Sequence, residues 1–423
     1  MKKMLYILSL LLVAATASAQ QNSSKIIPAR IIPGAERMDV YMPMLKGKRL
    51  AVFANQTSMV GNTHLVDTLL KSGIHISVIF GPEHGFRGTA DAGEKVGNAI
   101  DAKTGIPIVS LYGNKKKPSA DDLKDVDILL FDMQDVGCRF YTYIASMEEY
   151  IEAALELHKP LLILDRPNPN GFYVDGPVLD KKYSSDVGRE AVPVVYGMTI
   201  GEYAFMATGE QWLSAKANET YQYYKQAKNS TDTPFHFLVI KCVNYDHKSR
   251  YVLPVRPSPN LPDIQSVYLY ASTCFFEGTV MSEGRGTPTP FQVFGHPSLP
   301  KNLYAFTPQP NEGAKNSKHY GKTCYGWNLG GSPEFVLKEV NNRIQLKWLM
   351  EAYRLFPVKD SFFIIPKSGK PENYFFTKLA GNTTLMEQIK AGTPEADIRK
   401  SWEPELTQFK EIRKKYLLYP DFE

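Results

Sequence analysis

Five short, mostly apolar runs constrain what this chain can fold into. They cover residues 50–54, 75–80, 106–111, 126–131 and 161–164, and each ends at a polar residue, a glycine or a tyrosine–glycine pair. Runs of this length without strict alternation read as strands covered on both faces. Between them, residues 65–70 read as a helix stopped by Gly73, residues 121–124 as a helical turn, and residues 147–158 as a longer helix. Strands alternating with helices predict an α/β protein built on a Rossmann-like, doubly wound, mostly parallel sheet. In such a sheet the loops at the carboxyl ends of the strands converge on one crevice, where ligands gather. The polar loops of this sequence sit at those ends: Asn55-Gln56-Thr57, Gly81-Pro82-Glu83-His84-Gly85, Tyr112-Gly113, Asp132-Met133-Gln134-Asp135 and Asp165-Arg166-Pro167-Asn168.

At 423 residues the chain exceeds the roughly 250–300 residues at which single cores stop growing. Two domains are therefore expected. The prolines of residues 253–262 block helix and ladder alike and mark a boundary. A Rossmann-like catalytic domain is placed at 46–263, after a polar lead-in at 20–45, with a further helix at 199–207 and a strand at 235–241. A smaller α+β C-terminal domain at 264–423 completes the cleft. It is read as opening with a strand at 266–270 and finishing in helices at 336–353, 384–391, 394–402 and 406–417.

The first residues carry a separate message. Lys2 and Lys3 precede an apolar run at 4–15 and the small residues Thr16-Ala17-Ser18-Ala19, the pattern of a secretory signal peptide over 1–19. The run is shorter than the ~20 residues that span a bilayer. No cysteine follows to accept a lipid, so the mature chain is expected in the periplasm without stable membrane insertion. The net charge of +5 is interleaved along the sequence rather than gathered in a stripe, which argues against a nucleic-acid partner. Cys138, Cys242, Cys274 and Cys324 are scattered and form no metal-binding pattern. Neither a Gly-x-Gly-x-x-Gly fingerprint after the first strand nor a phosphate-loop string is present, so neither metal nor nucleotide cofactor is expected.

Gly81-Pro82-Glu83-His84-Gly85-Phe86-Arg87-Gly88 puts a carboxyl, an imidazole and a guanidinium in one glycine-rich loop. A carboxyl flanked by Pro82 and Phe86 suits a general acid, with His84 orienting it and Arg87 touching a ligand; the competing reading is a turn cap or a Glu83–Arg87 pair. In the stretch 132–143, Asp132 is a candidate second acid, while Gln134, Arg139 and Tyr143 are candidate ligand contacts. Phe140 and Tyr141 read as packing, and Asp135 equally as a helix cap. Asn55 and Asn168 stand at other strand ends as further contacts. Glu277, Glu283 and Arg285 form a charged cluster that the second half brings to the cleft, or else an interdomain ion-pair network.

At these residues the sequence resembles the NamZ-type exo-β-N-acetylmuramidases. Gly81 to Gly88 is similar to that family's Gly-Pro-Glu-His-Gly-x-Arg-Gly signature, and Gln134 to Gly137 with Arg139 to Tyr143 to its second block. Asp165 to Pro169, Gly176-Pro177, Arg256 to Asn260 and Ser282 to Thr287 are similar to further segments, so the resemblance spans nearly the whole mature chain. It departs at Cys138, where a small residue such as alanine is expected. The resemblance implies hydrolysis that releases N-acetylmuramic acid (MurNAc) from the non-reducing ends of peptidoglycan-derived saccharides, with Glu83 as a catalytic group. The second carboxylate stays open among Asp132, Asp135, Glu277 and Glu283. The lactyl carboxylate of MurNAc suits a bidentate guanidinium, for which Arg139, Arg256 and Arg285 are candidates. Competing functional readings are a non-catalytic muropeptide-binding protein and a nucleotide-dependent Rossmann enzyme.

Overall fold

The five apolar runs become the central strands of a seven-stranded sheet. The computed structural model describes residues 29–83, 85–86, 97–227 and 236–423, so the expected signal segment, His84 and Arg87 lie outside the described residues. The strands are β1 (Arg49–Ala54), β2 (His75–Gly81), β3 (Ala99–Ile100), β4 (Pro107–Ser110), β5 (Ile128–Asp132), β6 (Leu161–Leu164) and β7 (Phe237–Ile240). Their order is β3-β4-β2-β1-β5-β6-β7, parallel throughout except for the β3–β4 edge pair. The chain lays β2 and β4 on one side of β1, then returns to lay β5, β6 and β7 on the other. That reversal opens a switch point at the carboxyl ends of the central strands.

Successive side chains of each strand face opposite layers. Leu50, Val52 and Ala54 meet Tyr41 and Leu45 of α1 (Met38–Leu45) and Leu65 and Leu69 of α2 (Leu65–Lys71). Ala51 and Phe53 meet Met147, Tyr150 and Ile151 of α3 (Tyr143–Glu156), in the same apolar cluster as α4 (Ile200–Gly209) and Ala217 of α5 (Ala215–Ala227). Phe53, Phe131 and Tyr150 pack with ring centroids 5.1 to 6.3 Å apart. Each such fully buried side chain contributes about 1.5–3 kcal/mol of burial. From Ile264 onward the chain adds α6 (Ile264–Thr273) and a small antiparallel sheet of β8 (Val293–His296), β9 (Tyr304–Phe306) and β10 (Cys324–Asn328), in the order β8-β10-β9. Helices α7 (Pro333–Val340), α8 (Leu346–Leu355), α9 (Phe375–Ala380), α10 (Thr384–Lys390) and α11 (Glu395–Lys414) follow. Val267, Leu269 and Phe275 belong to the same apolar cluster as Phe53 and Phe131, so one core runs through both parts.

Four elements differ from expectation, each for a physical reason. Residues 266–270 are helical. Asp263 caps α6 by accepting from the Ser266 amide at 2.8 Å, and the helix is buried on all sides, which removes the periodic stripe that distinguishes a helix from a strand. The expected helix at 336–353 is two helices, because Asn341 and Asn342 adopt left-handed backbone with φ of 49° and 52°. The two helices expected at 394–402 and 406–417 are one. It runs through Pro404 because Ile398 and Trp402 before the proline, and Phe409 and Arg413 after it, are all buried. Part of the polar lead-in is structural: α1 places Tyr41 and Leu45 fully in the core.

The chain's tail returns to the sheet. Tyr419 donates to Asp165 Oδ2 at 2.6 Å, beyond the end of β6, and its oxygen accepts from the Cys242 amide at 2.8 Å. Arg413 is fully buried and bridges the Gly197 carbonyl to Asp421. Replacing Tyr419 with phenylalanine removes both tail hydrogen bonds and is expected to lower stability by about 1–3 kcal/mol. A urea midpoint unchanged from the wild type would show that the tail does not anchor β6.

Candidate active site

Glu83 follows β2 on a tight turn. The Gly85 amide bonds the Pro82 carbonyl at 2.9 Å, and Gly85 has φ of 74°, a left-handed conformation that favours glycine. Phe86 is buried, and its ring packs edge-on against His64 at 5.0 Å, which pins the far end of the turn. The half-buried Glu83 carboxyl is then oriented by groups from other strands. The Tyr112 hydroxyl, beyond β4, donates to Oε1 at 3.0 Å, and the Thr142 hydroxyl, beyond β5, donates to Oε2 at 3.1 Å. Thr142 stands at the N-cap position of α3 but makes no side-chain cap bond there; its hydroxyl is directed to Glu83 instead. Burial, and then the charge of Glu83, push the Tyr112 hydroxyl above its usual range, so it stays protonated and donates.

This carboxyl lines a cavity of about 290 Å³. Tyr141, Tyr143, Tyr270 and Phe291 supply aromatic walls, and Ser258 and Asn260 bring polar groups from the proline-rich stretch. Glu277 and Arg285 line it as well, paired at 2.7 Å. Arg285 also lies 3.3 Å from Glu283 and over the Phe291 ring at 5.1 Å. Burial acts to lower the Arg285 pKa, but Glu277 and Glu283 outweigh it, and the guanidinium is held above its usual value. Behind Arg285, Lys318 donates to Glu283 Oε2 at 2.9 Å and to the carbonyls of Phe276 and Met281.

Of the residues singled out in the sequence, Glu83, Tyr143, Glu277 and Arg285 meet in this one cavity. Asn55 stands one layer behind, its amide nitrogen donating to the Tyr143 hydroxyl at 2.6 Å. Glu283 is buried and holds Arg285 and Lys318. The structure corrects five other assignments. Asp132 is fully buried in a two-pronged pair with Arg166, at 2.6 and 2.8 Å, and has no route to a ligand. Gln134 is buried, its amide nitrogen donating to the Asp135 and Pro167 carbonyls at 2.8 Å. Arg139 is 1% exposed and donates to the carbonyls of Pro177, Val192 and Leu379; it ties loops together and does not reach the cavity. Asn168 is buried too, bonded to the Asn170 amide and the Met198 carbonyl. Arg256 is exposed and pairs with Glu312 at 2.7 Å.

Three residues at the cavity carried less signal. Tyr112 and Thr142 lie in stretches recognised as loops at strand ends, but only the folded geometry shows that both grip Glu83. Asp186 lines the cavity from an irregular segment with no local pattern to single it out.

A doubly wound sheet whose crest offers an oriented carboxyl to an aromatic-walled cavity, with a second carboxylate and an arginine in the same wall, defines an α/β enzyme site suited to a polyhydroxylated ligand. The chain belongs to the exo-β-N-acetylmuramidase NamZ family: the N-terminal model of that family matches residues 50–265, and its C-terminal model residues 268–419. It is 38% identical to the peptidoglycan β-N-acetylmuramidase NamZ of Bacillus subtilis, over 96% of this chain and 95% of that protein. Among solved structures it resembles two DUF1343-family proteins of Bacteroides fragilis. One is 44% identical with a TM-score of 0.79, covering 93% of this chain and 100% of that one. The other is 26% identical with a TM-score of 0.72, covering 92% and 99%.

The cysteines and one aspartate behind the cavity complete the electrostatic picture. All four cysteines are buried and unpaired, and burial pushes the Cys138 thiol well up, so the departure at that position introduces no reactive thiolate. Asp135 accepts from the Gly137 amide at 2.6 Å and from the Tyr196 hydroxyl, and burial pushes it up to about 6 from an ordinary 3.8. Between those two values the folded chain holds a proton that the unfolded chain releases. Its contribution to stability is therefore lost as pH rises through about 6. His296, lowered to about 4 by burial and by His319, acts in the opposite sense, so the test is differential. The stability of the wild type relative to Asp135→Asn is expected to fall between pH 4 and pH 7; a difference that rises over this range would contradict the assignment.

Proposed function

We propose that this protein is an exo-acting glycoside hydrolase that releases MurNAc from the non-reducing ends of peptidoglycan fragments such as MurNAc-GlcNAc and muropeptides. The observation that carries this reading is the Glu83 carboxyl, held on both oxygens by Tyr112 and Thr142 and lining a cavity large enough to admit a ligand. Family membership and the named activity of the Bacillus relative supply the sugar.

Cleavage of a glycosidic bond needs a proton for the departing oxygen, because an alkoxide leaves poorly, and a second group that attacks or activates water at the anomeric carbon. Glu83 is the proton donor. Of the four carboxylates considered for the second role, Glu277 is the one that lines the same cavity. Asp132, Asp135 and Glu283 are buried in hydrogen bonds and ion pairs of their own. Among the three arginines considered for the lactyl carboxylate, Arg285 is the one that lines the cavity, and the face of a sugar ring suits the surrounding tyrosines. The pattern of residues 1–19 supports export ahead of this activity, in keeping with a cell-wall substrate.

Glu83→Gln keeps the hydrogen-bonding shape but removes the proton. It is expected to lower release of MurNAc from MurNAc-GlcNAc by about 10²–10⁴-fold with the unfolding midpoint unchanged. Retained turnover would remove Glu83 from the mechanism. A wild-type enzyme that binds the disaccharide and releases no MurNAc would establish a binding protein instead.

A further inference from the structure

Arg285 reaches the cavity from between two carboxylates, Glu277 at 2.7 Å and Glu283 at 3.3 Å. Alone, these three groups carry one excess negative charge, and a wall of that sign repels an acidic ligand. The balance is restored from a distant segment. Lys318, 35 residues beyond Glu283, donates to Glu283 Oε2 at 2.9 Å and to the carbonyls of Phe276 and Met281 at 2.8 and 3.0 Å, with the Glu277 carbonyl further off at 3.3 Å. An ammonium has three protons, and the three nearer acceptors use them all. Lys318 does not line the cavity, so it meets a ligand only through the charges it compensates. Its segment is fastened to the arginine's loop: the Gln309 amide donates to the Gly286 carbonyl at 2.7 Å, and a Cβ at Gly286 would stand 2.5 Å from Ser317 Oγ.

The two carboxylates divide between the two cations. Burial favours the neutral form of Glu283, yet Lys318 and, after it, Arg285 hold this carboxyl below its ordinary range. For Arg285 the stronger anion is Glu277, followed by Glu283, the same order as their distances. Lys318 thus carries the main share of Glu283's charge. Arg285 keeps one close carboxylate partner, through Nη2, and its Nη1 has no hydrogen-bond partner among the described residues.

We propose that Lys318 is a positioning residue that lets this cavity accept an acidic sugar: by neutralising Glu283, it leaves Arg285 to Glu277 and to the ligand's carboxylate. The inference deepens the hydrolytic reading above and rests on its assignment of the lactyl carboxylate to Arg285. An uncharged side chain at 318 turns Glu283 wholly onto Arg285, and the ligand's carboxylate then competes with two others for one guanidinium. A contact to the lactyl group is made alike before and during bond cleavage, so its loss falls on KM more than on kcat.

The test uses the full-length enzyme and the MurNAc-GlcNAc disaccharide. Lys318→Met is expected to raise KM by at least about tenfold, the scale on which juxtaposed like charges disfavour a partner, with kcat changed much less. Adding Glu283→Gln removes the stranded charge, and the double variant is expected to recover most of the wild-type KM although two ties of the loop are then gone. A role confined to holding the loop predicts the opposite, a double variant at least as impaired as the single one. That result, or an unchanged KM in folded Lys318→Met, overturns the proposal. Should Lys318→Met fail to fold, Glu283→Gln alone decides: it leaves excess positive charge beside Arg285 and is expected to lower KM, and an unchanged or raised KM overturns the proposal. A wild type that binds the disaccharide and releases no MurNAc overturns the hydrolytic reading instead; the same variants compared by dissociation constant then test Lys318 separately.

Discussion

The crest of the sheet is held by the buried pair of Asp132 and Arg166. These residues end β5 and begin the loop after β6, neighbouring strands whose loops would otherwise part from one another. The guanidinium grips both carboxylate oxygens and also donates to the Met59 carbonyl at 3.1 Å, while the Asp132 carbonyl accepts from the Ser58 hydroxyl. Burying such a pair costs desolvation that apolar residues would not incur, so its value lies in geometry more than in net stability. It fixes three strand ends at once. The loop after β5 is then fastened further, by the Gln134 amide donating to the Thr57 hydroxyl at 3.0 Å and by the Gln134 side chain donating to the Pro167 carbonyl. Only beyond these ties does the chain arrive at Thr142 and the acid it orients.

The same division separates the arginines. Arg139, Arg166 and Arg413 are buried and face backbone carbonyls or partnered carboxylates, each joining segments far apart in sequence. Five donors in a rigid fork make arginine suited to that task, since one side chain satisfies several carbonyls that burial would leave unpaired. Arg285 differs in lining a cavity, and its position is set by Glu277 beside it and by the Glu283–Lys318 pair behind it. Charged residues in similar sequence settings thus perform opposite duties, and what decides between them is whether the guanidinium ends among carbonyls or at a solvent-accessible wall.

That distinction explains how much was legible beforehand. The sheet was readable because its strands are buried on both faces and bounded by polar loops, and the site's location followed from the carboxyl-end rule. Glu83 and Tyr143 stand in or just beyond strand-end loops, Glu277 and Arg285 in the charged cluster expected from the second half, and the four line one cavity. Asp132, Gln134, Arg139 and Asn168 have the same chemistry at the same end, yet they turn inward, because a crest built from several loops needs its own hydrogen-bonded interior. Local sequence does not record which way a side chain turns. Helix α6 is hidden in the sequence for a related reason: burial on every side erases the period that marks a helix.

Glu83 illustrates the cost of building a site in this way. Its turn supplies position, through Gly85 and the buried Phe86, but its orientation comes from Tyr112 and Thr142, which lie 29 and 59 residues further along the chain. Those two residues in turn stand on loops secured by the clasp at β5 and β6, and by the Pro257 carbonyl, which accepts from Tyr141 at 2.8 Å and from Gln56 at 3.0 Å. The proline-rich stretch that looked like a boundary is therefore also a brace for the crest. A carboxyl placed by one loop and aimed by two others keeps its geometry only while the whole crest is folded, so the acid role proposed for Glu83 depends on contacts remote from the cavity.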